Sequence, residues 1–362
     1  MQSLDEKTWK QLSAFGDGAP LHIETTNSSI DGIRLIDDGE KSVPYITRSD
    51  ANNGLARFVS AKNYEFGSDD GGCITVGLDT QTAFYQPHKF VTGQNVQVIT
   101  GENISEDVAQ FMVPILRQQM TAKFNWGGNG ATLGRMKRLT VMLPITDSGE
   151  PDYAYMAEYA QQKRDTMLAK YRAYVEEHIA ELGEVAEIPA LDEKEWHDFR
   201  IGDLFGISRP VARNKDNYLP GDVPFVASGS INNGVMKLCK PLEDEQIDDG
   251  CCITVSPVDG STFFQPMNFL GRGGAGSSIL MLRCEGLNLY RGQFMARAIQ
   301  QTCSKYTYGH MGNKDSIKRE RIMLPVTDSG EPDYEYMEQY VKNMMLRKYR
   351  QYLAFLQQRS NA

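Results

Sequence analysis

Leu143-Pro-Ile-Thr-Asp-Ser-Gly-Glu-Pro-Asp-Tyr-Ala-Tyr-Met156 returns as Leu324-Pro-Val-Thr-Asp-Ser-Gly-Glu-Pro-Asp-Tyr-Glu-Tyr-Met337, identical at 12 of 14 positions. A match this long means that one unit has been used twice. Working outward, further matches keep the same order: Leu4-Asp-Glu-Lys-Thr-Trp9 with Leu191-Asp-Glu-Lys-Glu-Trp196, Asn52-Asn-Gly54 with Asn232-Asn-Gly234, and Cys73-Ile-Thr-Val76 with Cys252-Ile-Thr-Val255. Tyr85-Gln-Pro87 answers Phe264-Gln-Pro266. Each half of the 362 residues is therefore expected to hold the same fold, and the length suits two domains of about 150 residues joined by something extended. Between the anchors the halves diverge, as in Gly93-Gln-Asn-Val96 against Gly271-Arg-Gly-Gly-Ala-Gly276. Two similar frames carry different surfaces.

Ahead of each Leu-Pro block the segments are short, β-branched or aromatic, and bounded by Gly, Asn and Pro, as in Val223-Pro-Phe-Val226 and Cys252-Ile-Thr-Val-Ser256. They read as strands, with helices expected over 107–120 and 289–301. After Pro151, suited to a helix entry, no Gly or Pro occurs until Gly183. That is roughly thirty residues, or about 45 Å of helix. Leu168, Tyr171, Val175, His178 or Ile179, and Leu182 step by three and four, and Met345, Tyr349, Tyr352 and Leu356 answer in the second copy. A solitary helix of this kind packs on its own domain. Two copies, each following a complete domain, suit pairing with one another.

Composition narrows the classes. Hydrophobic residues make up 41% and charged residues 23%, and no run of 18 apolar residues exists to span a bilayer. The start lacks a basic segment followed by an apolar one, so a cytoplasmic protein is expected, with no membrane partner. Cys73, Cys239, Cys251, Cys252, Cys284 and Cys303 show no CxxC or Cys/His ligand spacing and read as buried small apolar residues, with no metal expected.

The formal charge of −9 argues against a nucleic-acid partner, but charge is unevenly placed. Glu176, Glu177, Glu181, Glu184, Glu187, Asp192, Glu193 and Glu195 face only Lys194, a solvated or partner-facing run. Residues 117–138 hold Arg117, Lys123, Arg135, Lys137 and Arg138 and no acid. Residues 305–321 hold Lys305, Lys314, Lys318, Arg319 and Arg321 against Asp315 and Glu320. Lys123-Phe-Asn-Trp-Gly127 parallels Lys305-Tyr-Thr-Tyr-Gly309, and each leads through a polar loop to Lys137-Arg138 or Lys318-Arg319. Basic groups interleaved with aromatics and amides suit phosphate contact plus base-edge reading. The candidate DNA contacts are those cations with Asn125, Trp126, Asn129, Arg272, Tyr306, Tyr308, His310 and Asn313, excepting Arg321. For any single lysine, solubility is the simpler explanation. Repetition at equivalent positions favours DNA.

Enzyme motifs fail in context. Phe269-Leu-Gly-Arg-Gly-Gly-Ala-Gly276 has GxGxxG and FxGxG spacing, yet Ser277-Ser-Ile-Leu-Met-Leu-Arg283 follows as a strand rather than a helix, and the first half lacks the glycines. A loop near DNA fits it better than a dinucleotide or S-adenosylmethionine cradle. There is no Pro-Pro to begin an amino-methyltransferase motif and no GxxxxGK[ST] phosphate loop. Asp192-Glu-Lys194 has nuclease-like spacing but no suitably placed upstream acid, and the five histidines (His22, His88, His178, His197, His310) adjoin no nucleophile motif. No catalytic residue is expected, and no cofactor bound by this chain.

Trp196-His-Asp-Phe-Arg-Ile-Gly-Asp-Leu-Phe205, Pro224-Phe-Val-Ala-Ser-Gly-Ser-Ile-Asn-Asn-Gly234, Lys305-Tyr-Thr-Tyr-Gly309 and Leu324-Pro-Val-Thr-Asp-Ser-Gly330 together resemble the specificity subunits of type I restriction-modification systems and their type IIB relatives. The first half departs most, with Asn125-Trp126 in place of the usual small-aromatic pair. The resemblance implies a mixed α/β fold with two target-recognition domains, 1–151 and 189–332. It also implies a central conserved helix and linker, 152–188, and a C-terminal helix, 333–362, the helices pairing as an antiparallel coiled coil that spaces the two halves of an asymmetric DNA target. The implied partners are double-stranded DNA, two methyltransferase subunits that bind S-adenosylmethionine, and restriction or translocase subunits. Two rival readings stay open: a scaffold that assembles a phage-defence complex without reading DNA, and a self-sufficient methyltransferase using Gly271 to Gly276.

Overall fold

In the computed structural model, which describes residues 2–124, 130–274 and 278–360, the chain divides into units 1–171 and 172–362. The first unit runs through β1 (Trp9–Ser13), β2 (His22–Thr25), β3 (Val43–Ile46), β4 (Leu55–Val59), β5 (Cys73–Gly77), β6 (Thr82–Gln86), β7 (Val91–Thr92) and β8 (Val96–Thr100). It then turns helical with α1 (Glu106–Lys123) and α2 (Leu133–Met136), and ends with β9 (Thr140–Pro144) and most of α3 (Tyr153–Leu182). Its sheets are β2-β8-β5-β6, antiparallel, β4-β3-β7, in which β3 and β7 are parallel, and the pair β1-β9. Every residue of β5 is buried, as a central strand covered on both faces requires. Met112, Leu116 and Met120 of α1 join Ile74, Val76 and Ile99 in the main core.

The second unit repeats this plan with β10 (Trp196–Arg200), a short α4 (Ile201–Leu204), β11 (Gly206–Ser208), β12 (Pro220–Val226), β13 (Val235–Cys239), β14 (Cys252–Val255), β15 (Thr262–Gln265), β16 (Leu270–Gly271) and β17 (Leu280–Arg283). α5 (Leu289–Cys303), α6 (Lys314–Arg319), β18 (Arg321–Pro325) and α7 (Tyr334–Ser360) complete it. The sheet orders are β11-β17-β14-β15, β13-β12-β16 and β10-β18, strand for strand those of the first unit. The expected helices 107–120 and 289–301 are each a little longer, and α1 starts on a Ser105 cap whose hydroxyl accepts from the Val108 amide at 3.2 Å.

The repeated Leu-Pro block does the same work twice. Asp152 caps α3 by accepting from the Tyr155 amide at 3.0 Å, and its other oxygen takes Lys7 Nζ at 2.7 Å. Asp333 does likewise for α7 with Tyr336 at 3.0 Å and Lys194 at 2.8 Å. In both cases burial alone would raise the carboxyl, but the lysine and the helix amide outweigh it and hold it below the usual carboxylate range. The block therefore ties the opening strand of each unit to the start of its long helix.

α3 spans 30 residues and ends where Gly183 takes φ 76°, a left-handed stop. Within the second unit its last turns lie against α7. Tyr174 and His178 meet the Tyr349 ring at 6.5 and 6.2 Å, while Asn343, buried, bonds the Ala186 amide at 3.0 Å and carbonyl at 2.8 Å. As the chain advances from 174 to 186 its partners fall from 349 to 343, so the two segments run antiparallel. Val175 is fully buried, Ile179, Leu182, Met345, Tyr349, Tyr352 and Leu356 are half-buried, and Leu168 and Tyr171, in the first unit, are exposed. Alongside these, Met337, Val341 and Leu346 of α7 are fully buried. α7 covers its own domain through Met337 and holds the linker through Asn343.

The expectation that all six cysteines are buried needs correction at two of them, Cys251 and the half-buried Cys284. Cys73, Cys239, Cys252 and Cys303 are buried, and burial pushes the Cys73 and Cys303 thiols up to about 12. Cys251, however, is exposed, with φ 49° and its sulfur on the Leu287 carbonyl at 3.0 Å, because it is the turn residue that feeds β14.

Candidate nucleic-acid interface

Four stretches of the second unit converge on one end of its sheets. β12 runs into the loop 228–234, β14 into the turn 256–261, β16 into Arg272, and α5 into the segment 304–313. Ser261 Oγ donates to the Gly229 carbonyl at 3.0 Å, the Gly312 amide to Pro257 O at 2.7 Å, and the Arg272 amide to Val226 O at 2.8 Å. Gly260 closes the turn at φ 70°, and a Cβ there would stand 2.0 Å from the Cys303 carbonyl oxygen. Only glycine lets the turn and the end of α5 approach so closely.

The loop 228–234 is held from beneath. Asn232 and Asn233 both take left-handed backbone conformations, φ 50° and 55°. Gln265 Nε2 donates to Asn233 O and to Thr254 Oγ1, each at 3.0 Å, and Asn233 Nδ2 donates to Phe264 O at 3.2 Å. A conformation that costs about 1–3 kcal/mol persists only where its surroundings dictate it, and this amide network does so. The first unit has the same device: Asn52 and Asn53 at φ 50° and 55°, with Gln86 Nε2 on Asn53 O at 3.0 Å and Thr75 Oγ1 at 2.9 Å.

The sequence candidates fall into three groups. Tyr308, at 85% exposure, His310, Lys314, Lys318 and Arg319 are exposed, and Arg272 is half-buried beside the loop. α6 carries three of them from the Pro257 side to Gly202, where a Cβ would meet Lys318 Cγ at 2.3 Å. Tyr306 and Asn313 instead support the segment. Tyr306 is buried and donates its hydroxyl to Glu320 at 2.5 Å, so burial and that carboxylate push it up to about 12. Burial would raise Glu320 too, but the bonds from Lys305, at 2.6 Å, and from Tyr306 hold its carboxyl below the usual range. Asn313 Oδ1 caps α6, accepting from Asp315 and Ser316 amides at 2.9 Å each. His310 stacks on Tyr306 with ring centres 6.1 Å apart.

In the first unit Lys137 and Arg138 are exposed after α2, Arg135 Nη1 donates to Gly130 O at 2.7 Å, and Lys123 reaches Thr140 Oγ1 at 3.1 Å. Asn125, Trp126 and Asn129 lie outside the described residues, as do Ala275 and Gly276 of the glycine-rich stretch. Arg117 is placed apart from Lys137: it pairs with Asp50 in the loop 47–54 and lies 5.1 Å over Phe84. Arg48 of the same loop pairs with Asp79, which also takes Asn95 Nδ2 at 3.0 Å. Sequence reasoning missed this loop and its counterpart, although both Asn-Asn-Gly runs were visible as repeat anchors. Gly273 has a structural reason to be glycine, since a Cβ there would sit 1.9 Å from Pro210 O.

Comparison with known proteins follows the same duplication. The family described as "Type I restriction modification DNA specificity domain" matches residues 22–169 and again 193–352. The specificity subunit S.BcgI of a type II restriction enzyme from Heyndrickxia coagulans is 27% identical over 309 residues, covering 84% of this chain and 86% of that protein. Among solved structures, the S subunit of a type I restriction-modification system from M. genitalium aligns at 12% identity and a TM-score of 0.47, covering 99% of this chain and 95% of that one. The HsdS subunit from Thermoanaerobacter tengcongensis aligns at 14% identity and a TM-score of 0.29, covering 98% and 92%. With both halves matched by one family model, the chain belongs to the type I restriction-modification DNA specificity family.

Proposed function

We propose that this chain is the non-catalytic specificity subunit of a restriction-modification complex and recognises a bipartite, asymmetric double-stranded DNA target. The observation that carries this reading is the duplicated frame with unlike loop ends, each followed by exposed cations at matching positions: Lys137 and Arg138 in one unit, Lys318 and Arg319 in the other. These hold phosphates, and the adjoining loops test base edges. Pairing of α3 with α7 serves as the ruler between half-sites and as the platform for two methyltransferase subunits. S-adenosylmethionine is brought by those subunits, restriction or translocase subunits join the same assembly, and the complex works in the cytoplasm. No described helix is long and apolar enough to cross a membrane.

The test is a mobility-shift titration of the chain with its methyltransferase on duplexes of random sequence, followed by mapping the bases methylated in cells. Tight binding that falls steeply with salt, and a methylated site of two unlike halves, are expected. The charge of −9 favours a second reading, a scaffold that assembles partners without touching DNA. Absent or salt-insensitive binding would select it.

A further inference from the structure

We propose that the loop 228–234 is a base-reading element in which Ile231 supplies an apolar contact to the methyl group of one thymine in the target. This deepens the proposed function and rests on it. Ile231 is 77% exposed, at the tip of a loop whose following two residues are locked in left-handed conformations. Freely exposed isoleucine on a mobile loop would mean little, but here the Gln265, Thr254 and Asn233 network fixes the tip before any ligand arrives. Preorganisation of this kind favours recognition, because no ordering cost is incurred on binding.

The first unit supplies the control. Its loop has the same two left-handed asparagines and the same glutamine lock, and the stretch from Thr47 to Gly54 is closed by the Thr47 amide on Gly54 O at 2.8 Å, as Ala227 is by Gly234 at 2.9 Å. In that alignment Ala51 stands where Ile231 stands, and Arg48 and Asp50 stand where Ser228 and Ser230 stand. The fold therefore has no need of a large apolar residue at the tip. What the isoleucine serves lies outside the chain. It shares its end of the unit with the exposed Tyr308, with Lys314 at the start of α6 and with Arg272 beside the loop, a cationic and aromatic setting suited to a duplex. Among the four bases only thymine offers a methyl group in the major groove.

The experiment uses the full-length chain with its methyltransferase, a pool of randomised duplexes, and then the selected duplex carrying uracil in place of each thymine in turn. The expected result is one thymine whose replacement by uracil weakens wild-type binding about three- to tenfold. Ile231→Ala binds the thymine and uracil duplexes equally while keeping the rest of the target, and Ile231→Val restores the difference in part. If Ile231→Ala keeps the full thymine preference while Lys318→Ala weakens every duplex alike, the loop does not read the methyl group but DNA reading stands. If the wild-type complex enriches no sequence at all, the proposed function falls and this inference with it.

Discussion

The two units solve one structural problem with different chemistry. Asp69 and Asp248 occupy the same place, each exchanging both backbone hydrogen bonds with a buried phenylalanine, Phe90 or Phe269. In the first unit the Asp69 carboxylate is met by neutral donors: the Thr26 hydroxyl, the Asn27 amide at 3.1 Å and Asn27 Nδ2 at 3.0 Å. In the second, buried Arg213 reaches Asp248 at 2.6 Å, Glu245 at 2.8 Å and the Gln246 carbonyl at 2.6 Å. The glutamine lock beneath the Asn-Asn-Gly loop, by contrast, is the same in both. What is kept is the support of the loop end, and what has drifted is the filling around it, as expected of a frame retained for geometry while its surfaces change.

The largest effect should come from breaking that drifted filling. Arg213→Met leaves two partly buried carboxylates without a counterion and should cost about 3–5 kcal/mol, whereas Thr26→Val should cost about 1–2 kcal/mol, because it removes one hydroxyl that bonds Asp69, Thr92 and Ser28 but no charge. Hydrogen exchange resolved by unit would read this as lost protection across 206–283 with the first unit unchanged. Equal losses from the two substitutions would mean that the ionic network is not what holds the second unit.

Next is the turn beside the loop end. Gly260→Ala places a methyl group against the Cys303 carbonyl at a left-handed position, so it should cost about 2–4 kcal/mol. It should also detach the segment 304–313 from the turn, lowering DNA affinity together with thermal stability. A variant that melts like wild type would show that the close approach is not required.

Much of this was legible in the sequence. The duplication implied equal folds because the 12 of 14 matching residues include both helix-capping aspartates, and a separate repeat, 4–9 with 191–196, carries the lysines that they bind. The long helix followed from the missing Gly and Pro between 153 and 182. What stayed hidden depends on partners far apart in the chain. Arg213 meets acids 32 and 35 residues away, and Arg117 meets Asp50 across 67 residues, so neither could be told from a surface cation. Tyr306 looked like a base-stacking aromatic because no local pattern announces that its hydroxyl is committed to Glu320.

That commitment gives a smaller, pH-dependent prediction. Glu320 is more acidic in the folded chain than its ordinary value of 4.5, so its contribution is whole above that pH and drains away as the pH falls below it. Glu320→Gln should cost about 1 kcal/mol near neutrality and should flatten the loss of second-unit stability between pH 5 and about 3. An unchanged acid limb would assign that loss to other carboxylates, Asp333 first among them.

The smallest effect is the most informative about the comparison. In the hairpin pairing, Gln81 stands where Gly260 stands, also left-handed at φ 52°, but it carries a side chain. Gln81→Gly relieves roughly 1 kcal/mol of left-handed strain and loosens the unfolded chain by a similar amount, so stability should move by less than about 0.5 kcal/mol. Set against the large penalty for Gly260→Ala, a near-zero result means that the glycine of the second unit answers to the packing of α5 and not to the turn itself. A loss as large as that of Gly260→Ala would mean instead that both turns are specified by their own residues, and that the segment 304–313 is positioned by something other than this contact.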